Sequence, residues 1–370
     1  MKRYLFIVVI SVLCAVLFQC KKTDVTFTPD YFNTSWNNFR TVYIQPHGSV
    51  IDPSKDGITT SEGQSYALLR SVWMDDRETF DIVYTWTRRH LMTKDNLFAW
   101  KWGQSDDHKW EVLDHNTASD ADQDIALALI LASRKWNAGN YLKDAKKILK
   151  GIWEKEVFHA GGSAFISAGN WATEQGIINL SYFSPYAYEI FKEISPEYNW
   201  DSIISGTYNT LFELIKTYKI KFIPDFCKID VRSGKISLIE KDATALSTDF
   251  SFDAVRLYWR VAADYLWFSR DEALRFLKKQ TYPVKLWKKH KVIYSSYTLD
   301  GDAISESESF SFYGCMLPYF SIVDPDSAFG VAQKIQKIDY KRFYADNKRY
   351  YDQNWLWFGT ALYAGKVVKY

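Results

Sequence analysis

Three acidic motifs stand out for the chemistry their residue types allow. Glu62 lies near the start of the run TSEGQSYALLRSVWMDD, and Asp120, Asp122 and Asp124 crowd the run ASDADQDIALALILA. Asp253 belongs to a third run, STDFSFDAVRLYWR. Carboxylates at the ends of aromatic-rich helices suit polysaccharide cleavage, where one acid protonates a leaving oxygen and one base activates water. Each motif also has a plainer reading. Glu62 follows Thr60 and Ser61, either of which could cap a helix, and an acid in a first turn is favoured by the helix dipole. The Asp120 cluster could cap another helix, although three carboxylates so close together repel unless some of them bind something. Asp253 and Arg256 have the spacing of a surface ion pair on a helix.

The elements that must carry these residues are mostly helical. Phe80, Val83, Tyr84 and Thr87 share one helical face, as do Ile125, Leu129 and Ala132. Further helical runs are Ala145 to Trp153, Tyr208 to Tyr218, Val255 to Tyr265 and Ala273 to Leu277. Strand patterns are scarce; one hairpin is predicted over Phe226 to Ile239, turning at Ser233-Gly234. No low-complexity linker divides the body, so residues 31–370 read as a single all-α domain of about a dozen helices. That number suits either alternating inner and outer helices in a barrel or an α-solenoid.

Composition narrows the chemistry. Aromatic residues make up 17% of the chain, with 15 Trp, 25 Tyr and 24 Phe. Such rings fill a core, and some can stack on sugar faces. The formal net charge of +2 gives no reason to expect a nucleic-acid partner. No Cys or His spacing suggests a metal site, and the chemistry needs no organic cofactor. Cys227 and Cys315 are the two cysteines of the body, open to reading as a disulfide or as two buried thiols.

Taken together and in this order, the motifs resemble glycoside hydrolase family 8, over roughly residues 40–320. The resemblance implies an (α/α)6 barrel with a minor β-hairpin. It implies that Glu62 is the general acid, that Asp120 holds the ring at the cleaved bond distorted, and that Asp253 is the base, with Asp249 its rival. Asp122 and Asp124 then take structural parts. Arg256, one turn beyond Asp253, would orient the base. Phe252 stands where the family usually has Tyr, and Leu180 where it often has Pro. Trp100 in LFAWKWG, Trp171 in GNWA and Tyr182 in NLSYFSP resemble sugar-contacting positions, so the substrate-binding set is Trp100, Trp171, Tyr182, Phe252 and Arg256. The implied activity is inverting, endo-acting cleavage of β-1,4-glucan, cellulose or mixed-linkage. Xylan and chitosan are alternative substrates. A non-catalytic glycan-binding lipoprotein is a reading of another class, as is an unrelated toroidal cyclase, in which the SEGQ and FDA motifs would have no place. A monomer is the default expectation.

The N-terminus reads as an export signal over residues 1–20. Lys2 and Arg3 precede the apolar stretch Tyr4 to Phe18, which is short for a membrane span. Leu17-Phe18-Gln19-Cys20 resembles a lipoprotein cleavage site, with Cys20 lipidated, although Gln19 stands where a small residue is usual. Residues 21–30 would be a tether. The expected location is outside the cytoplasm, lipid-anchored to a bacterial membrane or secreted.

Overall fold

The computed structural model describes residues 25–241 and 245–370. The export segment and its Cys20 lie outside the described residues. Fourteen α-helices, numbered along the chain, occur among the described residues. Six form an inner ring: α2 (Ser61–Met74), α4 (Ser119–Trp136), α6 (Pro185–Ile194), α8 (Arg256–Phe268), α11 (Phe310–Val323) and α14 (Tyr350–Tyr363). Each packs on the next. The ring closes where Tyr66 of α2 meets Trp355 and Phe358 of α14 at ring-centroid distances of 5.6 and 5.3 Å. The outer layer comprises α1 (Pro29–Tyr43), α3 (Arg77–His90), α5 (Gly139–Lys155), α7 (Trp200–Tyr218), α9 (Asp271–Lys279), α10 (Tyr282–His290), α12 (Pro325–Gln336) and α13 (Tyr340–Ala345). This is the (α/α)6 barrel.

Sequence pattern dictates which helix goes where. In α2 and α14 nearly every residue from the second turn onward is buried, as is every residue of α4 through Ala132, and these helices carry apolar residues around most of their circumference. In α3 only Thr79, Phe80, Val83, Tyr84, Trp86 and Thr87 are buried, a single stripe that suits an outer position. Where α11 and α14 cross, Gly314 and Gly359 face each other so closely that a Cβ on Gly359 would lie 1.9 Å from the Gly314 carbonyl oxygen.

The connections differ at the two ends of the barrel. Inner helices pass to outer ones through very short turns: Asp75-Asp76 after α2, Asn137-Ala138 after α4, Ser269-Arg270 after α8 and Asp324 after α11. The return connections are long and hold every strand. They contain β1 (Ile51–Asp52), β2 (Ile58–Thr60), β3 (Ala99–Gln104), β4 (Trp110–Thr117), β5 (Val157–Ala160), β6 (Ser163–Ile166), β7 (Ile177–Asn179), β8 (Phe226–Ile229), β9 (Ile236–Leu238), β10 (Tyr294–Tyr297) and β11 (Ala303–Glu308). All pairings are antiparallel, in sheets ordered β1-β2-β3-β4, β5-β6, β7-β8-β9 and β10-β11. The expected hairpin is β8–β9, with Gly234 in its turn at φ 73°. The other sheets exceed the single hairpin expected. Most of their strands have two to four residues, too short to display alternation. One end of the barrel therefore gathers the inner-helix N-termini under a rim of small sheets. Cys227 and Cys315 are both buried free thiols.

Candidate active site

The acidic motifs converge at this end. Thr60 caps α2, its hydroxyl accepting from the Gly63 amide at 3.0 Å, and this sets Glu62 in the first turn. Gly63 leaves room for a neighbour: a Cβ there would lie 2.3 Å from the Tyr350 hydroxyl. Helix α4 has no side-chain cap among the described residues. Its three acids each have a different partner instead. Asp120 faces the site, Asp122 accepts from the Phe98 amide at 2.8 Å, and Asp124 pairs with Arg260.

Arg256 joins the motifs. It is the first residue of α8, where a cation opposes the helix dipole and needs compensation. Its side chain is fully buried, and three carboxylates supply that compensation. Nη1 donates to Glu62 Oε2 at 2.7 Å and to Asp120 Oδ2 at 3.0 Å, and Nη2 donates to Asp253 Oδ1. Asp120 is sealed at 2% side-chain exposure, whereas Glu62 and Asp253 keep 29% and 32%. Two carboxylates thus reach solvent and one does not. The guanidinium stands 5.3 Å from the centroid of the Tyr182 ring and 5.9 Å from that of Trp355. Tyr66 accepts from Arg256 Nη1 at 3.3 Å and from Trp355 Nε1 at 3.0 Å, which fixes one side of the cluster.

Three carboxylates around one guanidinium carry excess negative charge unless a proton is retained. Burial, and secondarily the nearby Glu62, pushes Asp120 up to about 7 despite the opposing pull of Arg256. The buried acid is therefore the one disposed to hold a proton.

Asp225, which sequence reasoning missed, holds the loop that presents Asp253. It accepts from the amides of Ser251 at 3.0 Å and Ala254 at 2.7 Å, and from the Ser251 hydroxyl. Burial and the charge of Asp253 push Asp225 up to about 6. Tyr351 also escaped notice. Its hydroxyl donates to the Phe252 carbonyl, and its ring lies 5.6 Å from that of the exposed Phe252. Asp249 lies outside the cluster, paired with Lys241 at 2.6 Å.

A second buried acid pair underpins α4. Asp122 and Glu156 each keep one buried carboxylate oxygen without a hydrogen-bond partner, and burial raises both, Glu156 to about 7. Glu156 accepts from the Thr117 hydroxyl at 2.6 Å, and that hydroxyl accepts from the Asn170 amide at 3.0 Å. The pair thereby ties α4 to β4 and to the loop carrying Trp171. Neither Glu156 nor Asp225 had a local signal, since their partners lie far away along the chain.

Among the aromatic positions, Trp171 and Tyr182 pack on one small cluster around Ala168, Ala172 and Phe226. Through Tyr182 that cluster adjoins Arg256. Trp100 is half-buried on β3, with the Lys101 ammonium 5.7 Å from its ring centroid. No hydrogen bond or ring contact links it to the carboxylates among the described residues.

Residues 11–316 match the family model described as "Glycosyl hydrolases family 8". The chain is similar to the "Endoglucanase" of Escherichia coli (strain K12), at 33% identity over 237 residues, covering 60% of each chain. It thus spans about 60% of the length of that curated relative. Its fold is similar to that of the endo-1,4-D-glucanase from Vibrio fischeri ES114, with a TM-score of 0.79 and 24% identity over 89% of this chain and 94% of the other. A cold-adapted family 8 xylanase, solved in complex with substrate, is similar in fold at TM-score 0.76 and 17% identity, over 95% and 93% of the two chains.

Proposed function

Because the chain belongs to the family 8 glycosyl hydrolases, we propose that it is an inverting glycoside hydrolase that cuts β-1,4-linked glucan within the polymer. The observation that carries this reading is the sharing of one buried arginine by Glu62 and Asp253, the two solvent-reaching carboxylates of the cluster. Glu62 protonates the glycosidic oxygen as the bond to the anomeric carbon breaks. Asp253 takes a proton from the water that attacks that carbon from the opposite face. One water is consumed per bond, and the acid and base recover their starting states by exchange with solvent, which both can reach.

Both carboxylate oxygens bond to one guanidinium, and at about 3 Å per bond they stand within roughly 8 Å of each other. That span admits the separation of about 6.5–9.5 Å used by inverting pairs. Arg256 keeps Asp253 oriented, and Asp225 holds its loop. Asp120, sealed at the floor of the cluster, takes by family likeness the role of holding the sugar ring distorted. Trp171 and Tyr182 supply apolar faces beside Arg256, Phe252 is exposed next to Asp253, and Trp100 is proposed as a more distant sugar contact. Asp249 is a poorer base because Lys241 occupies it.

The endoglucanase names of the sequence relatives support glucan. The comparable fold likeness to a xylanase makes xylan the second reading. We further propose export, with residues 31–370 acting as one catalytic unit tethered through a lipidated Cys20.

Reducing-end release from carboxymethyl-cellulose, mixed-linkage β-glucan, xylan and chitosan tests the reading, with Glu62→Gln as the blank. Release from the glucans that is lost in Glu62→Gln is expected. Release from xylan or chitosan alone would overturn the substrate, and release from none of the four would overturn the enzymatic reading.

A further inference from the structure

A cavity of about 620 Å³ lies outside the carboxylate cluster, between the C-terminal half of α3, the β1–β4 sheet and the loop after α1. Pockets of about 300–1,000 Å³ are the size that small ligands use. None of Glu62, Asp120 or Asp253 lines it. Its walls include Trp86, Trp102 and Trp110, two imidazoles, His47 and His90, and one cation, Arg89.

The aromatic wall is fixed in place. His90 stacks on Trp86 at 4.7 Å, and Trp102 meets both rings edge-on at 5.7 and 4.9 Å. Trp110 is different. It is held by β4 opposite Gln104, yet its indole is 58% exposed, more than any other large apolar side chain among the described residues. A rigid indole left open beside a concave aromatic wall gains from a flat apolar partner. The C–H face of a pyranose is one.

The charge of the wall narrows the ligand. No Asp or Glu lines the cavity. Arg88, one residue earlier, pairs with Asp144 at 3.4 Å, whereas Arg89 has no ion pair or hydrogen bond among the described residues. Burial, and then the neighbouring Arg89 and His47, hold His90 below the ordinary imidazole value, and Arg89 is the permanent charge of the wall. A wall with a free guanidinium and no anion complements a carboxylate, which a guanidinium binds with two parallel hydrogen bonds. The cleft has the opposite character, with three carboxylates around one arginine.

We propose that this pocket binds a sugar carrying a carboxylate, a uronic-acid unit of a glycan, with its ring on the indoles of Trp102 and Trp110 and its carboxylate on Arg89. Choosing a sugar over another cyclic acid rests on the glycan reading of the cleft. Thr59 lines the pocket, and Glu62 lies three residues further on, across the β2–α2 junction. A decorated glycan held here would be kept beside the cleft that cuts it.

The test is calorimetric titration of the full chain with xylotriose bearing one glucuronate and with plain xylotriose. The acidic ligand should bind at least tenfold more tightly. Arg89→Gln and Trp110→Ala should each abolish that preference while mixed-linkage β-glucan hydrolysis stays within twofold of wild type. Both side chains are exposed, and an unchanged melting temperature would verify folding. Equal affinity for the two ligands, or a preference that survives both substitutions, would overturn the proposal. If glucan is cut but the preference is absent, the pocket reading fails alone. If no glycan is cut but the preference appears and needs Arg89, the cleft reading fails alone.

Discussion

Arg256 and Arg260 lie one turn apart on α8, and each faces an aspartate of α4, Asp120 and Asp124, also one turn apart. The lower pair is closed. Arg260 binds Asp124 through two parallel bonds at 3.0 and 2.9 Å and also donates to Ser184 and Tyr186 at 2.6 and 2.9 Å. Both its partners and its own guanidinium are sealed from solvent. The upper pair is open-ended. Arg256 spreads its donors over three carboxylates, two of which reach solvent. Charge-matched and dry, the lower pair can only hold helices together. Over-supplied with carboxylates and partly wet, the upper cluster has a proton to manage and a face on which to use it. The same two helices and the same residue types thus give a structural clamp and a candidate reaction centre, and what separates them is stoichiometry and access to water.

Removing each arginine would break this comparison most directly. Arg260→Met leaves Asp124 buried without its partner, a change that typically costs about 3–5 kcal/mol. It should show as a large drop in melting temperature or loss of soluble protein. Arg256→Met should leave a folded protein, read by circular dichroism, whose glucan hydrolysis falls by about 10²-fold or more. Comparable instability in both variants would erase the distinction.

A smaller effect concerns the loop under the base. Asp225→Asn keeps an acceptor for the Ser251 and Ala254 amides but weakens the charge-assisted hold on the Ser251 hydroxyl. We expect roughly tenfold lower kcat with KM little changed, because Asp225 positions Asp253 without reaching the sugar. A change confined to KM would contradict that role.

The smallest effect is the pH dependence of stability. Glu156 has an ordinary value of 4.5 and is raised by burial to about 7. An acid raised in the native state binds more protons there than in the unfolded chain, so stability falls as pH rises through that window. Wild-type melting temperature should decline between pH 5 and pH 8. Glu156→Gln cannot ionise and should flatten the decline by a few degrees. An unchanged slope would mean that burial does not hold a proton on Glu156.

The helical architecture and the carboxylate motifs were legible in the sequence, because both are written locally. The periodicity of Phe80 to Thr87 and Ile125 to Ala132 marks helices within a few turns, and SEGQ, DADQD and FDA are contiguous. Capping signals narrowed the start of α2 to Thr60 or Ser61, and Thr60 is the cap, but the acids of α4 serve three separate partners. The rest depends on pairings that no local pattern records. The β1–β4 sheet joins strands from before α2 and before α4, and β1 and β2 are too short to alternate. Glu156 and Asp225 look like ordinary charged residues until the fold brings Asp122 and the Ser251–Ala254 loop to them. Trp100 shows the converse: its motif was legible, but no hydrogen bond or ring contact links its side chain to the carboxylates among the described residues.

Of the two candidate bases, Asp253 is held by Arg256 and is proposed as the base, whereas Asp249 is occupied by Lys241. The most direct measurement is kcat on mixed-linkage β-glucan for Asp253→Asn and Asp249→Asn, each verified as folded by its melting temperature. A loss of about 10³-fold is expected for Asp253→Asn and a change within about threefold for Asp249→Asn. Near-wild-type turnover in Asp253→Asn, with collapse in Asp249→Asn, would contradict that assignment.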